Sequence, residues 1–159
     1  MNAGDRVPFV MHIPPPLWFA AAFFAGWGLQ LLLPLTIHSS TIVLASRAMG
    51  FGLLVCGGLI ALSCFVMFLL ARTTVIPFGR ASSLVTRGPY RFTRNPMYLS
   101  LVLAYLGGAG LLVLPWPLVL LPVPLAVINW IVIPFEEKRL RETFGGAYDA
   151  YRAKVHRWL

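Results

Sequence analysis

Charge is what this chain has least of. Asp, Glu, Lys and Arg make up 11% of its 159 residues, where a soluble domain devotes about a quarter of its residues to them. With 58% of residues hydrophobic beside that shortage, the sequence lacks the polar cover of a water-soluble globule. Acid is scarcer than base, 5 residues against 13. Cysteine and histidine are too few and too scattered to hold a metal, and none is expected. Cys56 and Cys64 share an apolar run with no Cys-x-x-Cys spacing and no neighbouring His, so they read as two small buried hydrophobes rather than a disulfide. His12, His38 and His156 are far apart in the sequence. Internal repeats and low-complexity linkers are missing too, which leaves a single domain.

The charges that are present fall in blocks. None occurs between Arg6 and Arg47, between Arg47 and Arg72, or between Arg94 and Glu136. Crossing the hydrocarbon core takes about 20 apolar residues, so the gaps hold one, one and two spans in turn. The sequence predicts an all-α, polytopic integral membrane protein with four transmembrane helices. They are Leu17 to Ile37 after the Pro14-Pro15-Pro16 run, Ala48 to Ala71, Met97 to Leu114, and Leu118 to Ile133. The last two form a C-terminal helical hairpin about the turn Pro115-Trp116-Pro117. The first apolar segment starts too late and runs too long for a secretory signal, and lacks a cleavage site. The membrane domain 1–159 thus divides into two N-terminal spans (1–71), a basic loop (72–96), the hairpin (97–133) and a tail (134–159).

Arg72, Arg80, Arg87, Arg91 and Arg94 lie in the loop, and Lys138, Arg139, Arg141, Arg152, Lys154 and Arg157 in the tail. Four spans put both segments on one face with Arg6. The preference of Lys and Arg for the cytoplasm makes that face cytoplasmic, with both termini on it and Arg47 alone outside. An anionic leaflet accounts for the basic surplus without a nucleic-acid partner.

Small residues recur in the third span, where Ala104 and Gly108 sit four apart beside Gly107 and Gly110. Such a surface lets another backbone come close, and helix packing is the favoured reading over a ligand contact. Pro122 and Pro124 interrupt the fourth span, which points to a pocket near the hairpin.

Polar chemistry collects in two segments of the cytoplasmic face. The first runs Thr86-Arg87-Gly88-Pro89-Tyr90-Arg91-Phe92-Thr93-Arg94-Asn95-Pro96-Met97-Tyr98 into the third span. Pro96 suits the first turn of that helix and Asn95 its N-cap, and the helix start offers free amide donors to an anionic or carbonyl group. The second is Pro134-Phe135-Glu136-Glu137-Lys138-Arg139-Leu140-Arg141-Glu142-Thr143-Phe144-Gly145-Gly146. Pro134 is expected to kink the chain into a cytoplasmic interfacial helix ending at the paired glycines. Glu137 with Arg141 and Lys138 with Glu142 have i,i+4 spacing. Adjacent carboxylates point about 100° apart on a helix, so Glu136 and Glu137 cannot share one partner, and one is left for another task. The hairpin returns residue 136 to the face of residue 98. A site built from both segments offers acceptors for ammonium or ribose hydroxyl groups and helix-end donors for a carboxylate.

These residues, Gly88-Pro89-Tyr90, Arg94-Asn95-Pro96-Met97-Tyr98, the hairpin, Glu136-Glu137, and Phe144-Gly145 with Tyr148 and Tyr151, resemble the C-terminal signature of the isoprenylcysteine carboxyl methyltransferase and phospholipid methyltransferase superfamily. That signature runs Arg-His-Pro-x-Tyr, a spacer, then Glu-Glu, and the resemblance covers residues 80 to 159. It implies an integral membrane enzyme using S-adenosylmethionine on a lipophilic, membrane-resident acceptor. Asn95, Tyr98, Glu136 and Glu137 are implied to bind the donor, with Gly88, Tyr90 and Gly108 lining the same pocket. Arg91, Arg94 and Tyr98 are the catalytic candidates, the arginines on the substrate side or at the donor's carboxylate. Asn95 stands where the signature has His, so it keeps hydrogen bonding but no titratable ring. Methyl transfer to an ionised acceptor is chiefly alignment and needs no base.

Two other functions compete. Membrane sterol reductases using NADPH carry a similar Arg-His-Pro-Asn-Tyr segment, but Met97 replaces its Asn and the Glu-Glu pair favours methyl transfer. A non-enzymatic scaffold would bind neither cofactor, while an ion transporter would carry ionisable residues inside its spans.

Overall fold

The computed structural model describes residues 13–71 and 83–159, and all regular structure among them is helical. Arg6, His12, Arg72 and Arg80 lie outside the described residues. Helix α1 spans Pro15–Leu32 and α2 Ser40–Leu70. A 3-10 turn at Gly88–Arg91 precedes α3, Pro96–Leu112. Then α4 (Pro115–Leu120), α5 (Pro122–Val127), a π-helical turn (Ile128–Val132) and α6 (Ile133–Phe144) follow end to end, and α7 covers Gly146–Arg152. Two stretches, Ser40–Leu70 and the 30-residue rod Pro115–Phe144, are long and apolar enough to cross a membrane.

Local chemistry explains where these elements differ from the sequence prediction. Ser39 accepts the Ile42 amide at 3.4 Å and caps α2 well before residue 48. Arg47 therefore sits on an exposed position inside the helix instead of in an outer loop. The hairpin turns at Val113 and Leu114, not at Pro115-Trp116-Pro117. Val113 adopts φ +55°, and the amides of Val113 and Leu114 return to Gly110 and Ala109. Pro115 and Pro117 then open α4, where an amide hydrogen is not needed. Pro134 has no hydrogen to give the carbonyl four residues back, and the preceding turn widens so that the Ile133 amide reaches Ile128.

The helices alternate in direction. Antiparallel α2 and α3 meet through glycine: a Cβ on Gly50 would lie 2.4 Å from the Leu111 amide nitrogen, and one on Gly107 2.8 Å from the Gly50 carbonyl. Ser46 Oγ locks the crossing by donating to the Gly110 carbonyl at 2.9 Å. Helix α1 runs alongside α3, with Phe19 and Phe23 edge-on to Tyr105, and a Cβ on its Gly26 would lie 2.6 Å from the Pro117 nitrogen. The small-residue surface of α3 thus serves helix packing, as expected. The core holds Phe19, Tyr98, Tyr105, Ile128, Val132 and Ile133, while large apolar side chains such as Leu44, Phe51, Leu59 and Leu69 on α2 point outward. Cys64 is buried, but Cys56 faces outward with them, contrary to its expected burial. Both are free thiols.

Candidate active site

The site forms where the start of α3 meets α6 and the C-terminal segment. Tyr98, in the first turn of α3, donates its hydroxyl to Glu136 Oε1 at 2.7 Å. Residues 98 and 136 are thus brought together by antiparallel packing, as the hairpin predicted. The apolar part of the rod has ended by Glu136, its first charged residue. Burial pushes the Glu136 carboxyl up to about 7; the Tyr98 hydrogen bond opposes that rise and the neighbouring Glu137 adds to it.

Glu137 points elsewhere. Arg94 Nη1 lies 3.0 Å from its Oε1, and Arg157 holds both carboxylate oxygens, Nε at 3.3 Å and Nη2 at 2.8 Å. The side chains of Arg94 and Glu137 are only 10% and 12% exposed and that of Arg157 32%, so the Arg94–Glu137 pair is largely dry, and the triad carries one surplus positive charge. Arg94 Nε is buried with no partner among the described residues. The expected Glu137–Arg141 pair is not formed: Glu137 faces the loop and tail, while Arg141 reaches Asp149 of α7 at 3.0 Å. Lys138 and Glu142 do pair, at 3.8 Å on an exposed face.

Asn95 holds the N-cap position of α3, but its side chain makes no cap. Its Nδ2 instead donates to the Arg157 carbonyl at 2.9 Å, which Thr93 Oγ1 also reaches at 3.0 Å. A carbonyl only accepts, so the amide nitrogen must face it and Oδ1 is left as an acceptor. A neutral imidazole offers the same pairing of one donor and one acceptor. Asn95 can therefore replace the signature's His in hydrogen bonding, though not in proton transfer.

Of the other candidates, Tyr90 comes close to the Tyr98–Glu136 pair, near enough for the Glu136 charge to bear on its phenol. Tyr90 packs edge-on to Phe68 and its carbonyl accepts from Tyr151 at 2.7 Å, so its loop is fastened between α2 and α7. Burial raises the Tyr90 phenol and pushes Tyr151 up to about 12, which keeps both neutral at physiological pH. Gly88 has φ +60°, and a Cβ there would come within 3.2 Å of Met67. Arg91 is exposed. Gly108 is not brought to the cluster: it faces Phe23 of α1, about 15 Å along α3 from Tyr98.

Sequence reasoning missed the contribution of the tail. Besides Arg157, the His156 carbonyl accepts the Arg94 amide at 2.9 Å, and Trp158 Nε1 donates to Asn129 Oδ1 at 3.1 Å in the π turn. Asn129 interrupts an otherwise apolar run from Leu118 to Phe135, and that lone amide was the available signal.

The profile of the phospholipid methyltransferase family, named by the abbreviation PEMT, matches residues 45–147. The chain belongs to that family. The matched segment holds α2 from residue 45 on, the Gly88–Arg91 turn, α3 and the whole rod, so the Tyr98–Glu136 and Arg94–Glu137 contacts are contacts of a membrane methyltransferase. No curated protein and no solved structure matches the chain.

Proposed function

We propose that this member of the phospholipid methyltransferase family transfers the methyl group of S-adenosylmethionine to a lipophilic acceptor that reaches the site from the bilayer. The observation that carries the reading is the buried pairing of Tyr98 with Glu136 beside the Arg94–Glu137–Arg157 triad. The donor set suits the cofactor. Glu136 and Asn95 Oδ1 are acceptors for its ammonium or ribose hydroxyls, and the unpartnered Arg94 Nε is a donor for its carboxylate. The cofactor, when bound, supplies an electrophilic methyl carbon on a sulfonium. The protein's part is to bind and orient, and an acceptor that is already ionised requires no proton removal. A prenylcysteine-like carboxylate is such an acceptor; the ammonium of a phospholipid headgroup must first give a proton to a base before it can attack, so of these two acceptor classes the reading favours the carboxylate.

In this reading the chain is one membrane domain with four spans. Helices α1 and α3 have 18 and 17 residues, about 25–27 Å, close to the thickness of the hydrocarbon core. Their alternation with α2 and the rod supports the same arrangement. The basic loop, α6 and the tail then lie at the cytoplasmic surface with both termini, where a soluble donor enters. Helix α6 continues the rod without a break and would form its polar end at that surface.

The test is calorimetric titration of the full chain in detergent with S-adenosylhomocysteine, with NADPH in parallel. Saturable binding of S-adenosylhomocysteine alone is expected. Binding of NADPH alone would replace the reading with a reductase, and binding of neither would leave a scaffold.

A further inference from the structure

The C-terminal segment holds the Arg94, Asn95 and Glu137 parts of the site, although it lies beyond residue 147, where the family match ends. Arg157 acts at both of its ends. Its guanidinium grips both oxygens of Glu137, and its carbonyl accepts from Asn95 and Thr93. The flanking residues hold it there, His156 through the Arg94 amide and Trp158 through Asn129.

Each grip settles an orientation. Glu136 and Glu137 are neighbours on α6, so fixing one around the helix axis fixes the other about 100° away. Arg94 alone gives Glu137 one close contact, to Oε1; a single contact leaves the carboxylate free to swing. The Arg157 fork adds contacts to both oxygens, the planar match that a lysine cannot reproduce. Glu136 is then held toward Tyr98. The Arg157 carbonyl fixes the Asn95 amide in the one sense that presents Oδ1. A single tail residue thereby sets the direction of two acceptors contributed by α3 and α6.

We propose that Arg157 is a positioning residue for the donor site, acting through Glu137 and Asn95 without touching the ligand. This rests on the reading of the site as a binding place for S-adenosylmethionine. The test uses the full chain in detergent, with S-adenosylhomocysteine affinity by calorimetry and helix content by circular dichroism. Arg157→Ala is expected to weaken binding about ten- to a hundredfold, the span of one lost charge-assisted hydrogen-bond pair. Arg157→Lys, which keeps the charge and loses the fork, is expected to recover part of that loss. In a Glu137→Gln background, Arg157→Ala is expected to cost little more, because the group it positions has already been altered. Wild-type affinity in Arg157→Ala, or losses that simply add in the double variant, would overturn the proposal. If Arg157→Ala loses helix content, Arg157→Lys carries the test: folded protein with unchanged affinity overturns it. A wild-type chain that binds no S-adenosylhomocysteine would refute the underlying reading, a result distinct from any behaviour of the variants, and the proposal with it.

Discussion

Tyr98→Phe removes one oxygen from the centre of the site, and its effect can be worked through. Burial holds the Glu136 carboxyl up to about 7, and the Tyr98 hydroxyl at 2.7 Å favours its ionised form against that burial. A hydrogen bond to a charged group contributes about 1.5–3 kcal/mol, or roughly one to two pH units. Without it the midpoint climbs further, and the ionised share at pH 7 drops. In the proposed site the cationic end of S-adenosylmethionine is drawn to the ionised carboxylate. Affinity in the wild type should therefore rise with pH through about 7 and level off above it. In Tyr98→Phe the same rise should be displaced upward by about one to two units, so that binding is about tenfold weaker at pH 7. The assay is calorimetric titration at stepped pH, with Glu136→Gln as the variant expected to lose the dependence. Superimposable profiles for Tyr98→Phe and wild type would refute the reasoning. The unliganded protein has the opposite slope. A carboxyl raised in the folded state binds more protons there, so stability should fall as pH rises from about 4.5 to about 7.

Other expectations concern the frame. Gly50→Ala puts a methyl 2.4 Å from the Leu111 amide nitrogen and 2.7 Å from the Gly107 carbonyl, both backbone. It should cost about 1–3 kcal/mol in thermal unfolding, whereas Gly52→Ala on the same helix meets open space and should gain about 0.5–1 kcal/mol. Val113→Gly relieves a β-branched residue at φ +55° and should stabilise the hairpin by about 1 kcal/mol, read as a raised melting temperature. Asn95→His should retain S-adenosylhomocysteine binding, since the ring can still donate to the Arg157 carbonyl. Asn95→Leu deletes that donor and should lose binding together with about 1–3 kcal/mol of stability.

Much of this was legible in the sequence because the membrane imposes coarse rules. Gaps between charges indicated where the apolar helices lie, and antiparallel return placed Tyr98 and the Glu136-Glu137 pair on one face. Finer points depended on backbone hydrogen bonds that composition does not encode. Ser39 moved the start of α2 upstream, and the left-handed Val113 placed the turn before Pro115. Side-chain pairing was harder still. The i,i+4 spacing of Glu137 and Arg141 is a weak local preference, and it loses to two guanidiniums that reach Glu137 from distant segments where water is scarce. Asn95 shows the same competition, since a side chain suited to capping was drawn instead to a carbonyl 62 positions away.

That separation bears on how the protein matures. The bond from Asn95 to Arg157 closes a loop that contains the rest of α3, the whole rod and α7. In the proposed four-span arrangement, none of the tail contacts can form until those helices have threaded the membrane in the right sense and packed. A chain with one helix inverted would keep most of its apolar surface in lipid and still possess no donor site. Under the proposed function, ligand binding would discriminate correctly inserted chains from misinserted ones, and a bound ligand should protect the whole bundle against unfolding instead of one loop.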